Sequence, residues 1–199
     1  MKKKSTIITL FILSIFLIGN FGCISVGAEE NDKYFKFTNI TVKDGLSQGS
    51  VYAIFKDEDG YMWFGTNDGL NRFNGYDYTV LKSDDRDEKT IPSGIIGSIV
   101  EDKEGYLWIG TSSGLGRLDR KSLSVERIDA DINDSKKLSN AHVWDLYIDS
   151  KDNLWVGTES GLNLYDYKTK EFKKFLPSNT DKNTLSDDFI TSISEGEND

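Results

Sequence analysis

The chain has 199 residues, with 24 Lys+Arg against 33 Asp+Glu, a formal charge of -9, one His and one Cys. That balance offers no basic footprint to neutralise phosphates, which excludes nucleic acid as a partner; one Cys with one His can form neither an internal disulfide nor a His/Cys zinc site. A hydrophobic content of 37% with 12% aromatics is enough for a globular core and too much for a disordered acidic tail.

Residues 1–28 read as a secretory signal segment. Lys2, Lys3 and Lys4 form a positive start, Ile7 to Ile18 is almost wholly apolar, and Val26-Gly27-Ala28 places small or compact residues before Glu29. Cleavage after Ala28 leaves 21 Lys+Arg against 33 Asp+Glu, a mature charge of -12, and an exported protein, periplasmic or at the cell surface. Two alternatives stay open. Ser5 to Phe21, 17 residues, is at the lower limit for a helix crossing a hydrocarbon core of about 30 Å. Gly22-Cys23 is similar to the end of a lipoprotein signal, although Asn20 and Phe21 fit that pattern poorly.

Beyond the signal, Tyr34 to Thr38 reads as an isolated outer strand. The first of several repeats follows: Val51 to Phe55 is a strand, Asp59-Gly60 its turn, Tyr61 to Thr66 a second strand and Leu70 to Phe73 a third. Asn74-Gly75 predicts a tight hairpin into a fourth strand, Tyr76 to Leu81. A second copy has Glu104-Gly105 at its first turn and Leu123 to Ile128 as its last strand; a third has Asp152-Asn153 and Phe172 to Leu176. The repeats run over about 45–90, 91–137 and 138–184, with a partial one at 185–199.

The copies match at many positions. Trp63, Trp108 and Trp155 recur at spacings of 45 and 47 residues, each followed by Gly65, Gly110 or Gly157 and then a Thr. An Asp (Asp57, Asp102, Asp149) stands six residues before each Trp, and a Gly-Leu pair follows three residues after each Thr. Four short strands per repeat at this period define an all-β chain of β-propeller blades, each of four antiparallel strands. A blade is buried on both faces by its neighbours, so a continuous apolar run such as Met62-Trp63-Phe64 is expected where an exposed sheet would alternate. A Trp can bury on the order of 200 Å² in the widening gap between blades, and the following Gly permits close backbone approach. The repeated Trp, Gly, Thr and Asp are therefore read as packing and turn residues.

Gly45-Leu46-Ser47, Val51 to Asp57, Gly60 to Thr66 and Gly69 to Phe73 together resemble the two-component regulator propeller repeat. The resemblance covers about Tyr34 to Asp199. It implies the extracytoplasmic sensor region of a hybrid histidine kinase or a related receptor with a cyclic-dinucleotide output domain. It also implies a large propeller region followed by a β-sandwich, a transmembrane helix and a cytoplasmic signalling module. Asp152 stands where the other copies have Gly60 and Gly105, and Asn153 is expected to take the left-handed turn there. The 166 residues from Tyr34 amount to about 3.6 periods, below the usual minimum of ~4 blades. The propeller is read as incomplete: three blades, the start of a fourth in Leu185-Ser186 and Phe189 to Ser194, and an N-terminal strand that would close a ring. The chain is expected to be the N-terminal piece of a longer receptor.

No catalytic constellation, metal site or cofactor site is read from the residues. His142 begins a strand beside Val143 and Trp144, and Ser112 to Gly116 is Gly-rich but lacks the helix N-terminus that would bind phosphate. Asp57, Asp102 and Asp149 are expected to cap hairpins; taken as a calcium loop, Asp57-Glu58-Asp59-Gly60 would need its closing acid at Thr66. Loops leading into first strands should open on the same face as loops between second and third strands. That face brings forward Gln48, Asn140 and His142, with Asn67, Asp68, Ser112 and Glu159, as candidate contacts for a polar, hydroxyl-rich ligand. The resemblance implies as partner an unidentified small molecule or oligosaccharide, with membrane contact only through the signal segment or a downstream helix, and a homodimer compatible with the full receptor. The alternatives are a secreted propeller lyase or hydrolase, and a surface adhesion or scaffold module.

Overall fold

Each Trp-containing run forms the second strand of a four-stranded antiparallel sheet. The computed structural model describes residues 37–196. The signal segment expected over 1–28 and Tyr34 to Lys36 of the expected closing strand lie outside the described residues, and Phe37 and Thr38 carry no strand. From Asn39 onward the chain forms one compact unit. Blade one comprises β1 (Val51–Lys56), β2 (Met62–Thr66), β3 (Leu70–Phe73) and β4 (Tyr78–Leu81). Blade two comprises β5 (Ile96–Glu101), β6 (Tyr106–Thr111), β7 (Gly114–Asp119) and β8 (Val125–Ile128); blade three comprises β9 (Val143–Ile148), β10 (Leu154–Thr158), β11 (Gly161–Asp166) and β12 (Glu171–Phe175). Within each sheet the spatial order follows the sequence. Among the described residues, no helix is long and apolar enough to cross a membrane.

The blades stack through their broad faces. One core cluster joins blades one and two around Trp63, Ile96, Ile99, Leu107 and Leu118; a second joins blades two and three around Trp108, Val143, Leu146, Leu154 and Tyr165. The first strands β1, β5 and β9 neighbour one another through the array. Close packing explains the glycine after each Trp: a Cβ at Gly65 would lie 2.6 Å from Ile96 Cγ2, and one at Gly110 would lie 2.7 Å from Val143 Cγ1. The same step repeats beyond blade three, where a Cβ at Gly157 would lie 2.8 Å from Ile190 Cγ2. Residues 189–194 thus take the place of a next first strand, although without strand partners they form no ladder. Arg120 adds an ionic tie across the first interface, reaching Glu101 at 2.8 Å and Asp59 of blade one at 2.9 Å.

Two turn expectations need correction. The link between β3 and β4 spans four residues, because Asn74 Oδ1 accepts from the amides of Tyr76 and Asp77, both at 2.8 Å, and draws them into the turn. β4 consequently begins at Tyr78 instead of Tyr76. In blade three the left-handed residue is Asp152, at φ 61°, and not Asn153. Asn153 instead donates its side-chain amide to Asp149 Oδ2 at 2.9 Å, and Asp tolerates that backbone region better than most residues.

Candidate functional site

The spacing of six between Asp and Trp has a direct cause. Asp57 Oδ1 accepts the amide of Tyr61 across the first turn, at 2.8 Å, while Oδ2 accepts the indole N–H of Trp63, also at 2.8 Å. Asp102 with Trp108 and Asp149 with Trp155 repeat the bond at 2.8 and 2.9 Å. One carboxylate therefore closes the turn and satisfies a buried indole. Burial alone would raise the Asp149 carboxyl, but hydrogen bonds from Trp155, the Asn153 side chain and the amides of Asn153 and Lys151 hold it down to about 2.

At the opposite end of the second strand, the repeated Thr folds the link into the third. Thr66, Thr111 and Thr158 donate to the carbonyls of Gly69, Gly114 and Gly161 at 2.9, 3.0 and 2.9 Å. The segment leading into each blade is tied to this corner. Ser47 and Ser139 share hydroxyl bonds with Thr66 and Thr158 at 2.9 and 2.8 Å, and their amides donate to Asn71 and Asn163 at 2.8 and 3.0 Å. Blade two replaces both partners together: Pro92 stands for the serine and Gly116 for the asparagine, with Pro92 Cδ where it would lie 2.9 Å from a Cβ at Gly116. These bonds place the two expected sets of loops at one end of each blade.

On blade three that end gathers the candidate residues into a cluster. Asn140 donates its side-chain amide to Ser160 at 3.0 Å and accepts the His142 amide at 2.7 Å. His142 Nδ1 lies 2.9 Å from Glu159 Oε1, which leaves Nε2 on the other edge of the ring. The imidazole stacks on Trp144 at 4.7 Å with planes 12° apart, and Trp144 meets Phe189 at 5.4 Å. Trp144 is 40% exposed. It occupies the irregular step of β9, where pairing with β10 shifts register; a bulge of this kind re-aims a side chain away from the regular ladder. In the sequence Trp144 stands only as a strand neighbour of His142 and Phe189 as the start of a partial fourth blade, although the preceding copies have Tyr52 and Gly97 at the Trp144 position. An aromatic where the neighbouring copy has glycine was the available signal.

The other candidate residues lie elsewhere in the array. Asp68 pairs with Lys82 at 2.9 Å on blade one, next to Asn67. Gln48 is half-buried there, and its Oε1 is enclosed with no hydrogen-bond partner among the described residues. Ser112 accepts the Ile95 amide at 3.0 Å and so helps fix the segment leading into blade two. A cleft of about 560 Å³ lies away from His142, between blade three and residues 193–195, and is lined by Tyr147, Trp155, Leu162 and Glu195. Its lining is blade flank: Trp63 and Trp108 are fully buried at the corresponding positions, and Trp108 packs edge-on against Tyr165 of the next blade. We assign the cleft to blade packing.

Repeated four-stranded sheets, radially stacked with first strands adjacent, define an array of β-propeller blades. The family described as two component regulator propeller matches this chain at residues 45–68, 90–113 and 137–160, once in each repeat. It is 34% identical over 79 residues to Histidine kinase P4 of Formosa agariphila, a match covering 40% of this chain and 6% of the kinase. The fold is similar to extracellular domains assigned to hybrid two component systems of B. thetaiotaomicron. One has TM-score 0.64, 23% identity and coverage of 70% of this chain and 20% of that one; another has TM-score 0.64, 20% identity and coverage of 78% and 20%. Virginiamycin B lyase of Staphylococcus aureus is similar at TM-score 0.50 and 15% identity, over 68% of this chain and 44% of the lyase. The chain thus spans a small part of the curated relative and about a fifth of the two sensor-system structures.

Proposed function

We propose that this chain is an extracytoplasmic ligand-sensing module of a two-component-type receptor, with its ligand contacts at the end of blade three that carries Asn140, His142 and Glu159. The match of all three blades to a family described by two-component regulation supports this reading most strongly. The kinase relative and the extracellular neighbours are in keeping with it. Asn140, Ser160, His142 and Glu159 supply donors and acceptors beside the part-exposed Trp144, a combination suited to a hydroxyl-rich ligand with an apolar patch. Gln48 on blade one is the remaining proposed contact. A ligand that prefers one receptor arrangement would shift a pre-existing equilibrium.

A glycan array probed with the exported chain and with Asn140→Ala, His142→Ala and Gln48→Ala tests the site. Loss of one saccharide class in these variants, at unchanged melting temperature, supports it; binding unaltered in all three dismisses this face. The pairing of His142 with Glu159 favours a second reading, a secreted propeller lyase or hydrolase, since an imidazole held by a carboxylate can move a proton. Turnover of a bound saccharide, lost in His142→Ala, would select the enzyme.

A further inference from the structure

The loops that connect blades hold a cation, and one of them is built without it. Loop 84–91 runs from β4 to β5, and Arg127 on β8 reaches into it. Arg127 Nε donates to the Thr90 carbonyl at 2.9 Å, and Nη2 donates to the Asp84 carbonyl, Thr90 Oγ1 and the Ile91 carbonyl at 3.0, 2.8 and 3.1 Å. Loop 131–138 runs from β8 to β9, and Lys174 occupies the matching place on β12. Its ammonium donates to the carbonyls of Asp131, Ile132 and Asp134 at 2.6, 3.2 and 2.7 Å. In both cases the outer strand of the following blade supplies the positive group, and the loop supplies converging acceptors.

Loop 178–184 repeats three side-chain bonds of loop 84–91 at matching positions. The Asp84 amide donates to Thr90 Oγ1 at 3.0 Å, and the Ser178 amide to Thr184 Oγ1 at 2.9 Å. Thr90 Oγ1 donates to the Asp87 carbonyl at 2.7 Å, and Thr184 Oγ1 to that of Asp181 at 2.9 Å. The Lys89 amide donates to Asp87 Oδ1 at 3.0 Å, and the Asn183 amide to Asp181 Oδ1 at 2.9 Å. Among the described residues no ammonium or guanidinium donates to this third loop. Blade one provides the converse. It carries Val80 at the Arg127 position, and the segment leading into it is a 3-10 turn, Val42–Asp44, closed by Thr41 and Asp44 instead of such a loop. Cation and loop therefore vary together.

We propose that loop 178–184 is a preformed receptor for a guanidinium or ammonium group carried on the outer strand of a four-stranded blade packed against blade three. The flank beneath it already accepts the start of such a blade, since Ile190 stands to Gly157 as Val143 stands to Gly110. Backbone carbonyls and one hydroxyl recognise any N–H cation of the right reach, so the partner's chemistry is fixed while its sequence otherwise varies.

Ethylguanidinium chloride added to the isotope-labelled full chain is the first probe. Saturable amide shifts at Ser178, Thr184 and Leu185 that disappear in Thr184→Val, with tetramethylammonium giving none, support the receptor; equal, unsaturable shifts in both proteins overturn it. A second measurement inserts a further copy of residues 91–137 after Thr184, which preserves repeat register and brings an equivalent of Arg127 opposite the loop. In that chain, changing the inserted arginine to Ala and Thr184→Val should be coupled, the double variant losing at least fivefold less in folding equilibrium constant than the product of the singles. Independent effects, equal to that product within twofold, would overturn the proposal.

Discussion

Replacing Gly110 by Ala tests whether the repeated glycine exists to let blades approach. The added Cβ would lie 2.7 Å from Val143 Cγ1, 3.3 Å from Val143 Cβ and 3.4 Å from Leu146 Cγ, all side-chain atoms of the next blade. A carbon pair prefers about 3.5–4.0 Å, so β9 must move or Val143 must leave its place. Overpacking of this kind costs roughly 1–3 kcal/mol. Stiffening the unfolded chain by Gly→Ala returns about 0.4–1 kcal/mol. The net loss is then about 1–2 kcal/mol, a fall of roughly 2–8 °C in Tm for a domain of this size. Thermal melts of Gly110→Ala, Val143→Ala and the double variant supply the cycle: Val143→Ala removes the clashing Cγ1, so the double variant should lose at least about 1 kcal/mol less than the sum of the singles. Gly65 is the control. There a Cβ would also meet the Ile96 carbonyl oxygen at 2.8 Å, a backbone atom that Ile96→Ala leaves in place, so rescue should be weak. Unchanged melting of Gly110→Ala, or additive losses at the Gly110 pair, would refute the reasoning.

The depressed Asp149 carboxyl, about 2 against an ordinary 3.8, contributes stability that is present above pH 3.8 and lost as pH falls towards 2. After discounting for solvent screening this is about 1–2 kcal/mol, and the stability gap between the protein and Asp149→Asn in denaturant titrations should close across that window. In blade two, Gly116→Asn alone should be destabilising by about 1–3 kcal/mol through contact with Pro92, whereas Pro92→Ser with Gly116→Asn should recover part of the loss by rebuilding the bracket seen in blades one and three. Arg127→Ala should speed amide exchange in residues 84–91 and leave 178–184 unchanged, because only the first loop loses its cation.

What was legible in the sequence was what repeats. Trp63, Trp108 and Trp155 with their glycines announced a chain of blades, since a face buried on both sides demands a large apolar residue beside a position with no side chain. The indole bond to Asp57, Asp102 or Asp149 was hidden in plain spacing: six residues separate the pair along the chain, and only the turn between strands brings them together. Asn74 and Asn153 misled because a turn's type depends on what its side chains engage: Asn74 captures the amides of Tyr76 and Asp77, and Asn153 donates to Asp149, choices that residue preference alone does not make. The cation loops were invisible because their acceptors are backbone carbonyls, which every residue carries, and their donors lie 36 to 43 positions away. The cluster at blade three was half legible. Asn140, His142 and Glu159 stood out as polar departures from the repeat, while Trp144 and Phe189 were read as strand residues, since their meeting depends on packing between successive first strands.

The central claim is that the polar end of blade three is where this module meets its ligand. Chemical-shift mapping on the isotope-labelled full chain, with the saccharide selected by the glycan array, tests it most directly. The account predicts shifts concentrated at Asn140 to Trp144, Glu159, Ser160 and Phe189, with at least tenfold weaker binding in Trp144→Ala. Shifts centred on the outer strands β4, β8 and β12, with unchanged affinity in that variant, would contradict it.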